Sequence, residues 1–232
     1  MKRLALDFGV MKKTRLFGLA VWAIMLGSSE LAWGGVYETT NGGGDWDQTA
    51  TWKNGAIPSG VRTNKDIVIV KSGHTLTINV ADLALSRVTL EENAHLIVNE
   101  NLLLHGDGGQ NYPIDAYDGS TVTINANVTD EKGVIANGKL AIRGNGNLEV
   151  QRAFESATIT DTITTYCNVT VTYSSNGYNF SPNLVVCANT FKSERDKTVK
   201  ALTVKGGTYL ATNKITVDNG VTLAGGTMEI PG

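Results

Sequence analysis

Acidic and aromatic side chains that could bind a sugar are concentrated in residues 105–119, HGDGGQNYPIDAYDG. Sugar sites combine an aromatic platform with polar groups that form hydrogen bonds. Tyr112 and Tyr117 would supply the platform, and Asp115 and Asp118 would supply the polar groups. The glycines and the proline of this stretch predict a loop, and binding residues concentrate on loops that a rigid scaffold positions.

A second stretch of the same character lies later in the chain, at residues 173–182, YSSNGYNFSP. It also predicts a polar and aromatic loop, and it adds Tyr178 to the glycan-binding candidates. We therefore expect glycan binding at these two stretches rather than on the faces of regular strands.

Enzymatic chemistry is the alternative, because hydrolases of polysaccharides need paired carboxylates and lyases need a base beside acids. We assign no catalytic residue and no cofactor, since acidic loops are commonly only solvated. A fragment of a polysaccharide lyase or hydrolase stays open, but the sequence favours a chain that is not an enzyme. The groups available to such an enzyme are Asp107, Asp115 and Asp118 with Lys139 and Arg143, and the pair Asp130 and Glu131.

The two cysteines, Cys167 and Cys187, are 20 residues apart (187 − 167 = 20). If one coil of a stacked fold has this length, the two residues stack at about 4.8 Å, within the range that a disulfide accepts. The sequence therefore predicts a disulfide, with two buried free thiols as the alternative. It predicts no metal site, because neither cysteine has a second Cys or a His nearby and the three histidines form no ligand motif.

The N-terminal residues have the three parts of a secretory signal peptide. Residues 11–15 are basic, residues 16–26 are an apolar run without charge, and residues 32–34 are compatible with cleavage. We expect residues 1–34 to be removed, with residues 1–10 reflecting a start codon placed too far upstream. The mature protein is then secreted or on the cell surface. It has no second apolar run that predicts an integral membrane segment.

The formal net charge of −2, with no basic stripe, argues against a nucleic-acid partner. After residue 66, short runs of alternating apolar and polar residues are separated by Gly, Asn or charged residues, and this period of two predicts strands. The predicted runs are 67–70, 75–78, 87–90, 95–98, 101–104, 121–124, 139–142, 147–150, 157–160, 168–171, 183–186, 202–204, 209–210, 215–217, 221–223 and 228–230.

The spacing of these runs favours a parallel β-solenoid over a sandwich or jelly roll. After residue 200 they follow at steps of roughly six to eight residues, shorter than the 8–12 expected of a sandwich. Stacked coils of about 20 residues would bury the inward side of each run continuously. The residues expected to face inward are Leu202, Val204, Ile215, Val217, Val221 and Leu223.

The start of the mature chain has the most specific pattern, GDWDQTATW at residues 44–52, Pro58, DIVI at residues 66–69 and GHTLTI at residues 73–78. This pattern resembles the opening of secreted multidomain surface proteins of the Bacteroidota. It is also similar to the extracellular domain family named for its eight glycines. The resemblance implies a Trp-containing segment that leads into a right-handed β-helix. It also implies a role as an adhesin, a polysaccharide-binding module or part of a carbohydrate-active enzyme.

The expected organisation follows from these observations. Residues 35–65 form a cap in which Trp46 and Trp52 cover the first coil, with stacking on sugars as the alternative role for both rings. Residues 66–232 form an all-β solenoid that stops within its repeat, so we expect a fragment of a longer protein or an end that a partner covers. The expected function is structural or adhesive, or the binding of a polysaccharide or cell-surface glycan.

Overall fold

The structure is a computed structural model that describes residues 34–106, 112–172 and 181–230. These described residues belong to one compact unit. Short 3-10 turns lie at Thr49–Thr51 and Arg62–Asn64. In chain order the strands are β1 (Val36–Glu38), β2 (Gly43–Asp45), β3 (Ile67–Val70), β4 (Thr75–Ile78), β5 (Leu83–Leu85), β6 (Arg87–Leu90), β7 (His95–Val98), β8 (Leu102–Leu104), β9 (Ile114–Tyr117), β10 (Ser120–Ile124), β11 (Asn127–Asp130), β12 (Gly133–Asn137), β13 (Lys139–Arg143), β14 (Asn147–Val150), β15 (Ala153–Ser156), β16 (Thr162–Thr165), β17 (Asn168–Val171), β18 (Asn183–Val186), β19 (Thr190–Ser193), β20 (Lys197–Val199), β21 (Ala201–Val204), β22 (Thr208–Ala211), β23 (Ile215–Val217), β24 (Val221–Leu223) and β25 (Thr227–Glu229).

These strands wind into a parallel β-solenoid, which confirms the predicted fold class. Sheet 1 has the order β1-β3-β6-β9-β12-β15, sheet 2 has β2-β4-β7-β10-β13-β16-β18-β21-β24, and sheet 3 has β5-β8-β11-β14-β17-β19-β22-β25. A further pair, β20 and β23, is also parallel. Successive strands of one coil thus belong to different sheets, and each strand pairs with its counterpart one coil away.

The alternation in sequence becomes an alternation between the inside and the outside of the solenoid. In β3 and β4, Val68, Val70, Leu76 and Ile78 have no exposed surface, whereas the residues between them are half-buried. Residues in register repeat this pattern in the next coil, so apolar side chains stack in continuous columns. Because a single coil cannot bury its inward side, this stacking is the main source of stability.

The first coil already contains strands, so the predicted cap at 35–65 includes the beginning of the solenoid. β1 and β2 pair with β3 and β4. Gly43 fits there because its φ is +94° and a Cβ atom would lie 1.9 Å from the Thr75 carbonyl oxygen. The chain between β2 and β3 lies beside β5, where the Ala84 amide donates to the Gly60 carbonyl oxygen at 2.7 Å.

Trp46 and Trp52 are packing residues, because only 2% of each side chain is exposed. Their rings meet edge to face with centroids 5.2 Å apart, and Trp52 Nε1 donates to the Trp46 carbonyl oxygen at 2.9 Å. Both rings belong to the same core cluster as the columns of the coils. Neither ring is therefore available to stack on a sugar.

Two expectations about strands are wrong. Residues 157–160 form a turn rather than a strand, because the Asp161 carboxylate accepts hydrogen bonds from the Thr158 amide at 2.6 Å and the Thr158 hydroxyl at 2.8 Å. Val221 and Leu223 face the expected side but are 45% and 57% exposed, since β24 is the edge strand of sheet 2. The register residues one coil earlier, Leu202 and Val204, are fully buried as expected.

Asparagines stack at the start of the sheet 3 strands. Asn168 Nδ2 donates to Asn147 Oδ1 at 3.2 Å, and Asn147 Nδ2 donates to Asn127 Oδ1 at 2.9 Å. The contact between Asn101 and Asn127 differs from these side-chain contacts, because Asn101 Oδ1 accepts from the backbone amide of Asn127 at 3.2 Å. Among the described residues, no helix is long and apolar enough to cross a membrane.

Candidate functional site

The predicted loop at 105–119 contains a strand, β9, that belongs to sheet 1. Ile114 and Ala116 face inward and are 1% exposed. The coil that ends here is longer than the one before it. It has 26 residues, from Val88 to its register partner Ile114 (114 − 88 = 26), whereas the preceding coil has 20, from Val68 to Val88 (88 − 68 = 20). The additional residues lie between β8 and β9. Asp107 falls within residues 107–111, and Tyr178 within 173–180, so both predictions lie outside the described residues.

Tyr117 is the exposed aromatic side chain of this region. It lies at the end of β9 with 42% of its surface exposed, and in the described part of the chain no other aromatic residue is as open to solvent. The residue in register on β12 is Asn137. Side chains on neighbouring strands stand about 4.8 Å apart, so the ring and the amide lie side by side on the outside of sheet 1.

Asp115 is a half-buried carboxylate next to this ring. Its Oδ1 accepts a hydrogen bond from Asn137 Nδ2 at 2.7 Å. Burial raises the pKa of Asp115, although Arg87 on β6 and the hydrogen bond from Asn137 act in the opposite direction. We call Arg87, Asp115, Tyr117 and Asn137 the Tyr117 surface. It combines an aromatic platform with a carboxylate, an amide and a guanidinium group.

Asp118 has a structural role beside this surface. Its Oδ1 accepts a hydrogen bond from the Lys139 backbone amide at 2.8 Å, which fixes the start of β13. Asp118 is exposed. It thus lies close to Tyr117, as the sequence predicted, but one of its oxygens is already used by the fold.

Tyr112 belongs to a second group, which we call the Glu155 cluster: Tyr112, Glu155 on β15 of sheet 1, and Lys197 on β20. The Tyr112 hydroxyl donates to Glu155 Oε2 at 2.5 Å. Lys197 Nζ donates to the Phe154 carbonyl oxygen at 2.8 Å, and its ammonium lies 5.9 Å from the Phe154 ring centroid. Burial lowers the pKa of Lys197 to about 8, an effect that the nearby Glu155 carboxylate partly opposes.

The positions of Glu155 and Lys197 were not predicted from sequence. Glu155 faces outward from β15 yet is only 6% exposed, and Lys197 is 8% exposed. Phe154, between Ala153 and Glu155, is an apolar residue in an alternating run and could have indicated a strand. Nothing in the sequence indicates that Lys197, 42 residues after Glu155 (197 − 155 = 42), lies near it.

The other charged candidates do not converge on Asp115. Arg143 is on β13 of sheet 2, where its guanidinium carbon lies 4.5 Å from the centroid of the Tyr166 ring. Glu131 forms an ion pair with Arg62 at 2.8 Å. Asp130 is fully buried in the core, where Oδ1 accepts from the Lys132 amide at 2.9 Å and burial raises the pKa to about 7. These groups are structural in this fold.

The histidines bind local partners. His74 Nδ1 and Thr39 Oγ1 are 2.9 Å apart, His95 Nε2 and Thr123 Oγ1 are 2.8 Å apart, and His105 Nδ1 bonds the Gly106 carbonyl oxygen at 2.7 Å. In residues 34–106, 112–172 and 181–230, no three residues of the types His, Cys, Asp and Glu are grouped so that they could hold a metal ion.

The predicted disulfide is wrong for this structure, because Cys167 and Cys187 are free thiols. The register pairs Thr165 with Val186, so Cys187 lies opposite Tyr166, one residue before Cys167. A shift of one residue changes the side of the sheet. Cys167 accordingly faces the core with no exposed surface, whereas Cys187 is half-buried and hydrogen-bonds the Tyr166 side chain, which raises the pKa of Tyr166.

Comparison of the chain with models of known protein families, with curated proteins and with solved structures finds no match.

Proposed function

We propose that this chain is an exported β-solenoid module, extracellular or on the cell surface, that binds a glycan at the Tyr117 surface. The observation that carries the proposal is the exposed ring of Tyr117 beside the hydrogen-bonded pair of Asp115 and Asn137. A pyranose ring has an apolar C–H face that packs on an aromatic ring, and hydroxyl groups that match amide and carboxylate groups.

The solenoid holds these groups in a fixed arrangement. Asp115 and Tyr117 are on β9, Asn137 is on β12 and Arg87 is on β6, three strands that are adjacent in sheet 1. Groups on rigid strands lose little conformational entropy on binding, which favours affinity. The prediction of export depends on the basic, apolar and small-residue segments within residues 11–34. An exported module would encounter extracellular polysaccharides at this surface.

The test is binding to a glycan array by wild type and by Tyr117→Ala. Tyr117 is exposed, so this substitution should leave thermal stability nearly unchanged. Loss of a central aromatic contact should weaken binding by about tenfold or more. Tyr166→Ala is the matched control, because Tyr166 is an outer-surface tyrosine of sheet 2 and should not affect binding. Equal binding by wild type and Tyr117→Ala would contradict the proposal.

A carbohydrate-active enzyme is the second candidate, and the Glu155 cluster is the observation that favours it. A buried carboxylate, a phenol and an amine with a pKa of about 8 are groups that can transfer protons. Asp115 and Glu155 are also in register on sheet 1, separated only by Ile135 on β12. The glycans that bind should therefore be incubated with wild type and with Glu155→Gln. Product release that Glu155→Gln abolishes would favour the enzyme, and binding without turnover favours the module.

A further inference from the structure

A shallow groove lies on the outer face of sheet 3, on strands β5, β8 and β11. Its volume is about 440 Å³, within the range of roughly 300–1,000 Å³ that is usual for small-molecule sites. It lies on a different sheet from the Tyr117 surface and shares no residue with it. The residues that determine its chemistry are Asp82, Ala84, Asn101, Leu103, Asn127 and Thr129.

The floor of the groove is apolar, although it faces outward. Ala84 and Leu103 are in register on β5 and β8, and Ala84 is 8% exposed while Leu103 is half-buried. The same outward column continues with polar residues on the following strands. These are Thr129, Glu149, Thr170 and Lys192. Four polar residues thus separate the apolar pair from the next apolar residue of the column, Leu210 on β22.

The rim of the groove is polar, and the asparagine stack of sheet 3 changes there. At this step Asn101 Oδ1 accepts from the backbone amide of Asn127 at 3.2 Å, and in the described part of the chain no hydrogen bond joins the two side-chain amides. Within the described residues, Asn101 Nδ2, Asn127 Nδ2 and the Asp82 carboxylate make no hydrogen bond or ion pair. Two amide donors and one carboxylate acceptor therefore border the apolar floor.

This combination matches a sugar ring that lies flat on the floor. Its C–H groups would pack on Leu103 and Ala84, and neighbouring hydroxyls would accept from the amides and donate to Asp82. Asp82 is the one charged residue among those that line the groove, and a carboxylate repels an anionic sugar. We infer that the groove binds one or two pyranose units of a neutral glycan, independently of the Tyr117 surface.

Methyl NMR on the full chain tests this inference. Protein with labelled Ala and Leu methyl groups is titrated separately with cellohexaose, laminarihexaose and mannohexaose, and with trigalacturonate as the anionic probe. The Ala84 and Leu103 methyl signals should shift with at least one neutral probe and not with trigalacturonate. If these signals shift with no neutral probe, or only with trigalacturonate, the inference is wrong. The wild-type titration decides this without any variant.

Leu103→Asp should weaken binding of the responding probe by about tenfold or more, because it places a charge on the floor. The matched control is Leu210→Asp, since Leu210 lies in the same outward column at the other end of sheet 3. Tyr117→Ala should leave the Ala84 shift unchanged. A loss of the Ala84 shift in Tyr117→Ala would show that the groove is not an independent site and would overturn the inference.

Discussion

The outer faces of sheet 1 and sheet 2 differ, although the two sheets share the same parallel pairing and the same apolar inner face. On sheet 1, outward Ile135 and Glu155 are 9% and 6% exposed. On sheet 2, most of the corresponding outward positions are half-buried and uncharged, although Lys139 and Arg143 are exposed. Examples from one register row are Thr75, Thr121, Thr164 and Thr203.

The difference shows that burial on the outside of a solenoid requires other side chains to lie over the strands. On sheet 1, Tyr112 donates a hydrogen bond to Glu155. Lys197 is a different case, because it lies on the same side of β20 as the core residue Val199 and donates to the Phe154 carbonyl oxygen from there. Ionisable groups covered in this way lose hydration, so their pKa values shift, and such groups cluster at functional sites. Burial shifts pKa values at both sheets, since it also lowers the pKa of His95 on the outside of sheet 2, but the larger shift is that of Lys197.

The largest expected effect concerns Lys197. Its pKa is lowered to about 8 in the folded protein from an ordinary value of 10.5. Because the folded protein protonates Lys197 less readily than the unfolded chain does, the contribution of this residue to the free energy of unfolding is fully present only above pH 10.5. It is lost as the pH falls through 8, and the loss is about 3 kcal/mol. We expect the free energy of unfolding of the wild type to fall in this window relative to that of Lys197→Met.

Urea denaturation at pH 7.5, 8.5, 9.5 and 10.5 measures the difference between the two proteins. Other alkaline groups titrate in both, so the difference isolates Lys197. Lys205→Met is the control, because Lys205 is exposed and should give no pH-dependent difference from wild type. A constant difference between wild type and Lys197→Met across this pH range would mean that the pKa of Lys197 is not lowered in the folded protein.

The fold followed from the sequence where the period of two was regular. The runs at 67–70 and 75–78 and their inward residues are as predicted. The prediction was wrong at corners, where one capping side chain decides the backbone, as Asp161 does at 157–160. β9 was missed because Tyr, Pro and Asp in its neighbourhood resemble a loop.

The candidate site was only partly predictable, for a reason of register. Tyr117 and Asp115 were identified from residue type, and they are close because they are two residues apart on β9. Asn137 is the register partner of Tyr117, and Glu155 lies two strands from Asp115, only because the coil spacing is 20 residues at this point. The preceding coil has 26 residues. The length of its additional segment cannot be read from the sequence. The cysteines show the same sensitivity, since one residue separates their observed register from a stacked pair.

A second prediction compares one outward residue from each face. Glu155→Ala should destabilise the protein by about 1–3 kcal/mol, because Tyr112 loses this buried acceptor and Lys197 loses the nearby carboxylate. Thr164→Ala, at a half-buried position of sheet 2, should change stability by no more than about 0.5 kcal/mol. Chemical denaturation at pH 7 measures both. Equal effects of the two substitutions would mean that the faces do not differ energetically.

The smallest effect on stability is expected at Cys187, which lies at the edge of the sheet 2 outer face. Cys187→Ser should cost no more than about 0.5 kcal/mol, because the side chain is half-buried and a hydroxyl can replace the thiol beside Tyr166. Its accessibility should nevertheless distinguish it clearly from Cys167. Cys167 has no exposed surface, and its burial raises the pKa of the thiol to about 12. Little thiolate therefore forms there at neutral pH.

Thiol labelling of the native protein with a chromogenic disulfide reagent at pH 8 measures this difference. One thiol should react quickly, and the second only as fast as the protein opens, because the reagent attacks the thiolate and must reach it. In Cys187→Ser only the slow reaction should remain, and in Cys167→Ala only the fast one. Two fast thiols would show that the core column at Cys167 is open, and two slow thiols would show that the edge of sheet 2 is covered as sheet 1 is.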